Sequence, residues 1–334
     1  MGVLVIILLS AMSWYWHALS PLDAANATRT VVKIPSGASA EDVAELLASG
    51  HLIRSPLAFI LYVRLHHAAS SLKAGGYVLK PSLGVPAVVE QLTTGETGEE
   101  IVTIPEGFTV GQIDELLTVK GITQPGELVE CAQTCDFSSF DFLPSSLKGN
   151  SVHDAPGGRL EGYLSPDTYY VSIADFQTKF FLERLLTTFR HRVVEALGKD
   201  IKVSHRSLHQ LMTMASLVEE ETRRDGERTA VAGILWKRLD AGIGLGVDAA
   251  VRYGLGKPTG VLSSADLASA SLYNLRKFTG LPPGPITNPS KKSILAVLHP
   301  QQSPYFYYLH DHDGQIHYAV TNDEHNLNRQ KYLQ

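Results

Sequence analysis

Three consecutive glutamates, Glu219, Glu220 and Glu221, are the residues whose type and position best fit acid–base chemistry. The segment that begins at Ser204 has the apolar spacing of a helix, with Ser204 as its N-cap. On that helix Glu219 falls within the apolar arc, Glu220 in the polar half and Glu221 at the far margin of the apolar arc. Because an apolar environment destabilises a charged carboxylate, the pKa of such a group rises toward the range of a general acid. Glu219 is therefore a candidate general acid, beside the simpler reading of a solvated helix-end charge.

The elements that would position this helix follow from the same apolar spacing. Helices are predicted over residues 176–197 and 227–239, with inner faces that could pack on it. A short helix is predicted to begin at Asp248, which is either a second polar group of the site or an N-cap. The loop over residues 280–286 carries several prolines, whose fixed backbone angles suit one wall of a groove.

A hairpin is predicted at the end of the chain, over residues 305–321, with Asp313-Gly314 as a two-residue turn. The histidines near this turn lie close in sequence, but alternate strand residues point to opposite faces. We therefore expect no metal site and no cofactor here. The histidines concerned are His310, His312 and His317.

Composition describes a globular protein of about two domains, since the chain has 334 residues, 44% of them apolar and 19% charged. The net charge of -5 gives no reason to expect nucleic acid as a partner. The mixture of helical and alternating segments predicts an α+β fold.

The N-terminal stretch, residues 2–19, contains no Asp, Glu, Lys or Arg. Its length is about the minimum for a membrane-spanning helix, and Trp14, Tyr15 and Trp16 suit a bilayer interface. A cleaved signal peptide is the alternative, with a small-x-small site at residues 25–27. We expect an uncleaved anchor over residues 1–20, with the bulk of the chain outside the cytoplasm.

A small α+β module is predicted over residues 28–98, and a larger domain over residues 99–334. In the module, Ser39 and Asp42 form a capping-box pattern before a helix, and a short strand precedes them. This module either binds a polymeric substrate or acts as a spacer. In the larger domain a strand is followed by a helix that begins at Thr109.

The cysteines of the chain are Cys131 and Cys135, four residues apart. On a helix they would share a face, where a disulfide has strained geometry and a metal site lacks further ligands. Their pairing stays open at this point.

The loop over residues 160–169 combines tyrosines with carboxylates. Such a combination suits stacking on a sugar ring and hydrogen bonding to its hydroxyl groups, although a tyrosine-rich turn is often only packing.

Several longer motifs occur in a fixed order. They are IPEGFTVGQI at 104–113, EGYLSPDTYYV at 161–171, MASLVEEET at 214–222, ER at 227–228, RL at 238–239, VDAAVRYGLG at 247–256, GLPPGPITNP at 280–289 and EHN at 324–326. With these motifs the chain resembles the YceG-like family of endolytic murein (lytic) transglycosylases over residues 31–326.

The resemblance implies a single-pass anchor in the bacterial cytoplasmic membrane, a LysM-like module and a catalytic domain outside the cytoplasm. It implies peptidoglycan glycan strands as substrate, cell-wall synthesis proteins as possible partners and no cofactor. Glu219 would be the catalytic acid and base, with Glu221 in support. The candidates for substrate contact are Glu161, Tyr163, Asp167, Tyr169, Glu221, Asp248, Tyr253, Tyr273, Asn274, Asn288, Glu324 and His325.

In the expected reaction, protonated Glu219 donates to the glycosidic oxygen between MurNAc and GlcNAc. The resulting carboxylate takes the proton of the MurNAc C6 hydroxyl, which closes onto C1 as a 1,6-anhydro end. One alternative is a non-catalytic peptidoglycan-binding scaffold. Another is a serine enzyme that uses Ser70-x-x-Lys73 or Ser145-x-x-Lys148, although the accompanying S-D-N and K-T-G elements are absent from the sequence.

Overall fold

The computed structural model describes residues 2–95, 99–144, 157–173, 175–257 and 259–333. These residues form an α+β fold in which helices predominate and the strands pair into two-stranded sheets. The chain divides into two compact units. The first contains Met1–Val102 and Tyr169–Gln177, and the second contains Thr103–Thr168 and Thr178–Gln334.

The first unit has a core of its own. Its β1 and β2 are antiparallel, with Thr30 opposite Leu79, and its helices bury side chains such as Leu47 and Phe59 completely. The predicted capping box is present, because Ser39 accepts from the N–H of Asp42 and Asp42 accepts from the N–H of Ser39. The elements are α1 (Gly2–Leu19), β1 (Thr30–Ile34), α2 (Ala40–Ser49), α3 (Pro56–Leu65), β2 (Gly75–Leu79), α4 (Val85–Thr94), β3 (Glu99–Thr103) and β4 (Thr168–Ser172), with β3 paired to β4.

The first helix, α1, exposes apolar side chains such as Ile6 and Leu9 and buries Ala18 and Leu19 at its C-terminal end. Within the described part of the chain, no helix reaches the length and apolar character that crossing a membrane requires. The predicted anchor over residues 1–20 is therefore not confirmed.

The second unit is built around a helix that carries the three consecutive glutamates. This helix, α9, packs against α10 and α13. The elements are α5 (Val110–Val119), α6 (Glu127–Thr134), α7 (Thr178–Phe189), a π-helical turn (Arg190–Glu195), α8 (Gly198–Val203), α9 (Leu208–Glu221), α10 (Arg228–Asp240), α11 (Asp248–Gly254), α12 (Ser264–Leu267), α13 (Lys291–Leu298), β5 (Tyr307–His310), β6 (Ile316–Ala319) and α14 (Asn322–Tyr332).

The start of α9 differs from the prediction, because the N-cap is Ser207 rather than Ser204. The hydroxyl of Ser207 accepts from the N–H of Gln210 at 3.2 Å, and the side chain of Gln210 accepts from the N–H of Ser207 at 2.9 Å. Ser204 instead follows the end of α8, and His205 after it has a left-handed backbone with φ of 55°. The reciprocal capping box therefore decided the boundary.

The predicted C-terminal hairpin is present, but its connection is longer than a two-residue turn. His310 pairs with Ile316, so the loop spans residues 311–315. The carboxylate of Asp311 closes this loop by accepting from the N–H groups of Asp313 at 3.0 Å and Gln315 at 2.8 Å. An aspartate that bonds its own following backbone has thus replaced the tight turn predicted at Asp313-Gly314.

Cys131 and Cys135 are joined by a disulfide at the end of α6. The backbone carbonyl of Cys135 accepts from Arg159 at 3.3 Å. The structure thus answers the pairing that the sequence left open.

Candidate active site

Glu219 lies at the end of the buried face of α9, and only 9% of its side chain is exposed. Its Oε2 accepts from the N–H of Ser290 at 2.8 Å and from the hydroxyl of Ser290 at 2.6 Å. Its Oε1 is 3.3 Å from Nη1 of Arg228. The burial expected from the helix pattern is present, but polar partners hold the carboxyl group, and these partners were not predicted.

Two cavities flank the turn at Glu106-Gly107. The first has a volume of about 350 Å³ and includes Gly107 in its wall. The second has a volume of about 230 Å³ and includes Glu106 and Ser290 in its wall. A Cβ added at Gly107 would lie 3.6 Å from Cγ of Glu219, and Ser290 bonds the same carboxyl group. Glu219 is therefore adjacent to wall residues of both cavities.

Glu220 belongs to the wall of the larger cavity. Partial burial against that wall, followed by the charges of Glu219 and Glu221, raises the pKa of Glu220 to about 7. Arg252 lines the same cavity and acts in the opposite direction. The sequence assigned Glu220 to the polar half of the helix, but it gave no sign that this half faces a cavity.

Glu221 accepts from the hydroxyl of Tyr308 in β5 at 2.8 Å. Burial raises the pKa of Glu221, while the bond from Tyr308 acts against that rise. The three glutamates therefore have three different environments, as their positions around the predicted helix indicated.

Glu161 lies in the wall of the larger cavity with only 2% of its surface exposed. Its carboxyl group accepts from the N–H of Val110 at 3.1 Å, from Tyr253 at 3.0 Å and from Asn288 at 3.2 Å. Burial nevertheless raises the pKa of Glu161 to about 8. A group with that pKa keeps its proton at neutral pH.

Asn288 is fully buried and joins three of the sequence motifs. Its side-chain oxygen accepts from the N–H of Leu164 at 2.8 Å, and its side-chain nitrogen donates to the carbonyl of Phe108 at 2.8 Å. Its backbone carbonyl accepts from the N–H of Gly107 at 2.9 Å. The turns that contain Gly107 and Glu161 are therefore held by one residue.

Tyr253 connects α11 to the carboxyl group of Glu161. Its hydroxyl donates to Oε2 of Glu161 at 3.0 Å and accepts from the N–H of Gly157 at 3.1 Å. Tyr253 also lines the larger cavity, and its contact with substrate stays a prediction.

Four predicted contact residues are fully buried instead, namely Tyr163, Tyr273, Asn274 and Asn288. The hydroxyl of Tyr163 lies 2.9 Å from Nδ1 of His209, and the side chain of Asn274 donates to the carbonyl of Leu267 at 2.9 Å. Full burial leaves no surface for a ligand, so these residues are better described as packing and bracing groups.

The remaining predicted residues have other partners. Asp167 pairs with Arg192 at 2.5 Å, and Asp248 is held by two nitrogens of Arg276, one of them at 2.9 Å. The larger cavity is also not lined by the last three predicted residues, Tyr169, Glu324 and His325. Tyr169 is buried in β4 of the first unit, Glu324 caps α14, and His325 stacks on Tyr307.

Comparisons with known proteins agree with the motifs. The model of the YceG-like family matches residues 32–331. An endolytic murein transglycosylase of Bacillus subtilis (strain 168) is 31% identical over 320 residues, which cover 94% of this chain and 88% of that protein. One of Streptococcus pneumoniae serotype 2 (strain D39) is 29% identical over 346 residues, which cover 96% of this chain and 62% of that protein.

A solved structure shares the fold. It is a crystal structure described as that of a YceG-like protein from Listeria monocytogenes, with 27% identity and a TM-score of 0.63. The match covers 90% of this chain and 99% of that one. Fold and motif order thus define one class of protein along nearly the whole chain. The chain belongs to the YceG-like family, which confirms the resemblance drawn from its motifs.

Proposed function

We propose that this chain is an endolytic murein transglycosylase, a lyase that cleaves the MurNAc–GlcNAc bond within peptidoglycan glycan strands. The names of the B. subtilis and S. pneumoniae relatives support the activity. The observation that carries the proposal is the position of Glu219, which is buried, held by Ser290 and Arg228, and adjacent to two cavities.

Glu219 performs both proton transfers of this reaction. Its carboxylic acid protonates the glycosidic oxygen as the bond to C1 breaks. The carboxylate then accepts the proton of the MurNAc C6 hydroxyl, and O6 bonds to C1 as a 1,6-anhydro end. Because no water attacks, the second carboxylate that an ordinary glycosidase uses is not required.

The partners of Glu219 suit the intermediate state of this cycle. Ser290 donates twice to Oε2, and Arg228 lies against Oε1. Hydrogen bonds from charged or polar donors stabilise an ionised carboxylate. These two residues therefore stabilise the carboxylate that remains after the first proton transfer.

Cleavage within a strand requires space for sugars on both sides of the broken bond. The two cavities, of about 350 Å³ and 230 Å³, provide such space on either side of Glu106-Gly107. Tyr253 in the wall of the larger one is available to position a ring, and Glu161 holds Tyr253 through a hydrogen bond. Glu221 supports the helix end through Tyr308.

The location of the protein belongs to the same proposal. We predict that α1, with its exposed apolar side chains, attaches the chain to the cytoplasmic membrane and that the catalytic domain lies outside. Residues 28–98 would act as a LysM-like glycan-binding module. Cell fractionation of the full chain and of a chain lacking residues 1–20 tests this attachment. Only the full chain is expected in the membrane fraction.

The test of the activity is digestion of purified peptidoglycan followed by mass spectrometry of the fragments. Wild-type protein is expected to release internal fragments with anhydro-MurNAc ends. Glu219→Gln should reduce the rate by roughly 100-fold or more, the usual scale for loss of a general acid. Glu130→Gln makes the same chemical change at an exposed position of α6 and should leave the rate unchanged. Normal release of anhydro ends by Glu219→Gln would show that another group carries the proton.

The same digestion separates the alternatives. A scaffold would bind glycan and yield no anhydro ends. For the serine enzyme, Ser145 and Lys148 lie outside the described residues, and Nζ of Lys73 donates to the carbonyl of Thr94 at 2.9 Å. Covalent attachment of a labelled β-lactam would be the result that supports the serine-enzyme hypothesis.

A further inference from the structure

Four of the carboxyl groups around the site, those of α9 and of Glu161, differ in what holds them. Glu161 accepts from Val110, Tyr253 and Asn288. Glu219 is held by Ser290 and Arg228, and Glu221 by Tyr308. These bonds fix the positions of the three carboxyl groups.

Glu220 is the exception among these four. Among the residues that the structure describes, its carboxyl group has neither a hydrogen-bond partner nor an ion-pair partner. It nevertheless belongs to the wall of the larger cavity, and more than a third of the residue is accessible. Its Oε1 is 3.7 Å from the position of a Cβ added at Gly107. Glu220 is thus next to Glu219 in sequence and is free to bond a molecule in the cavity.

The cavity suits a single sugar ring with a substituent. Its volume of about 350 Å³ is at the lower end of the range for ligand sites, roughly 300–1,000 Å³. Its wall contains apolar surface from Ile286 and Ala249, the aromatic ring of Tyr253 and backbone at Gly107 and Gly111. Apolar and aromatic surface with a few polar groups is the usual lining of such a site.

We propose that Glu220 is a further substrate-contacting residue, which donates a hydrogen bond from its protonated carboxyl group to an acceptor oxygen of the amino sugar in the larger cavity. This inference rests on the proposed function, because it assumes a peptidoglycan sugar in that cavity. The acceptor is an uncharged oxygen, of the kind that an N-acetyl carbonyl or a ring hydroxyl presents. Glu220 acts on binding, and the proton transfers remain with Glu219.

The surroundings of Glu220 support this protonation state. Partial burial raises the pKa of Glu220, the charges of Glu219 and Glu221 on α9 raise it further, and Arg252 on α11 lowers it, with a result of about 7. The other charged groups of the cavity wall are Glu115 on α5, Glu161 and Lys257. As pH rises from 6 to 8, Glu220 loses its proton and with it the ability to donate. Substrate binding should therefore weaken over this range.

The experiment measures KM and kcat on soluble glycan strands of defined length at pH 6 and pH 8. Glu220→Ala should raise KM at pH 6 by roughly 3- to 10-fold, the scale of one lost hydrogen bond. Glu220→Gln keeps an N–H donor that does not titrate, so its KM should match the wild type at pH 6. The wild-type KM should rise from pH 6 to pH 8 by a further roughly 3- to 10-fold relative to that of Glu220→Gln. All three proteins should keep kcat within about twofold.

Two controls keep the result specific. Glu130→Gln should retain the wild-type pH profile, because it removes a carboxyl group outside the cavity. Glu161, whose pKa is raised to about 8, titrates in every variant, so its contribution cancels in the comparison. Equal thermal midpoints for the variants would exclude a folding defect as the cause of a KM change.

The outcomes separate the inference from the proposed function. If wild-type protein releases no anhydro ends, the proposed function fails. If it releases them while Glu220→Ala keeps the wild-type KM, or Glu220→Gln keeps the wild-type pH dependence, the contact from Glu220 is refuted. A loss of kcat without a change in KM would also overturn it, since it would place Glu220 in the chemical step.

Discussion

The buried acid Glu161 makes folding stability depend on pH in a way that one substitution can remove. Its pKa is raised by burial from 4.5 to about 8. Between these values the folded protein holds a proton on Glu161 that the unfolded chain releases. Because unfolding then releases a proton, rising pH favours the unfolded state. The stability that this proton provides is full below pH 4.5 and is lost as pH rises toward 8.

The magnitude follows from the pKa difference. Each pH unit within the window changes the free energy of unfolding by about 1.36 kcal/mol. The slope is smaller near each pKa, so between pH 5 and pH 8 the change due to Glu161 is about 3–4 kcal/mol. This is a large part of the roughly 5–15 kcal/mol that stabilises a typical protein. Glu161→Gln has nearly the shape of the protonated acid and does not titrate. Its amide can donate to the hydroxyl of Tyr253, which lies 3.0 Å from Oε2.

Urea unfolding of the wild type and of Glu161→Gln at pH 5, 6, 7 and 8 measures the difference. The free energy of unfolding of the wild type should fall by about 3–4 kcal/mol relative to that of the variant over this range. Other titrating groups contribute equally to both proteins. As a control, the free energy of unfolding of Glu130→Gln should change with pH in parallel with that of the wild type. Parallel curves for wild type and Glu161→Gln would refute the assignment of a raised pKa to this buried group.

Two further predictions concern the turns around the site. Asn288→Ala should lower the free energy of unfolding by about 2–4 kcal/mol, because it leaves the N–H of Leu164 without its acceptor and removes a donor from Glu161; a urea midpoint within error of the wild type would contradict this. Gly162→Ala should cost about 2–4 kcal/mol in the same assay, because φ is 85° and the new Cβ would lie 2.4 Å from Pro285. The matched substitution Gly198→Ala, which has no heavy atom within 4 Å of the new Cβ, should stay within about 1 kcal/mol of the wild type.

Local signals predicted much of the secondary structure. The capping box predicted at Ser39 and the helix predicted to begin at Thr109 placed two helix starts correctly. The hydrogen bonds that define both caps lie within four residues. The start of α9 was misplaced because Ser204 and Ser207 both suit an N-cap, and only Ser207 has a glutamine three residues later. The length of the hairpin loop was predicted wrongly, because the side chain of Asp311 accepts a hydrogen bond from the backbone N–H of Gln315, four residues later.

The site was less predictable, because its contacts join distant parts of the chain. Helix periodicity placed Glu219 on the buried side, but Ser290 lies 71 residues away in sequence. The projection also placed Glu220 correctly in the polar half, but the cavity in front of it depends on how α5 and α11 pack. Tyr163 was expected near a sugar because of its residue type, whereas its burial beside His209 depends on tertiary packing.

The amide of Asn288 gives the molecule a particular vulnerability. One side chain bonds both the strand-to-helix turn at Phe108 and the loop at Leu164. A substitution of Asn288 therefore destabilises the fold and the candidate active site together. A genetic screen that scores only lost cell-wall cleavage would count such residues as catalytic. Abundance of each variant in cells, measured alongside cleavage, distinguishes proteins that cannot react from proteins that do not persist.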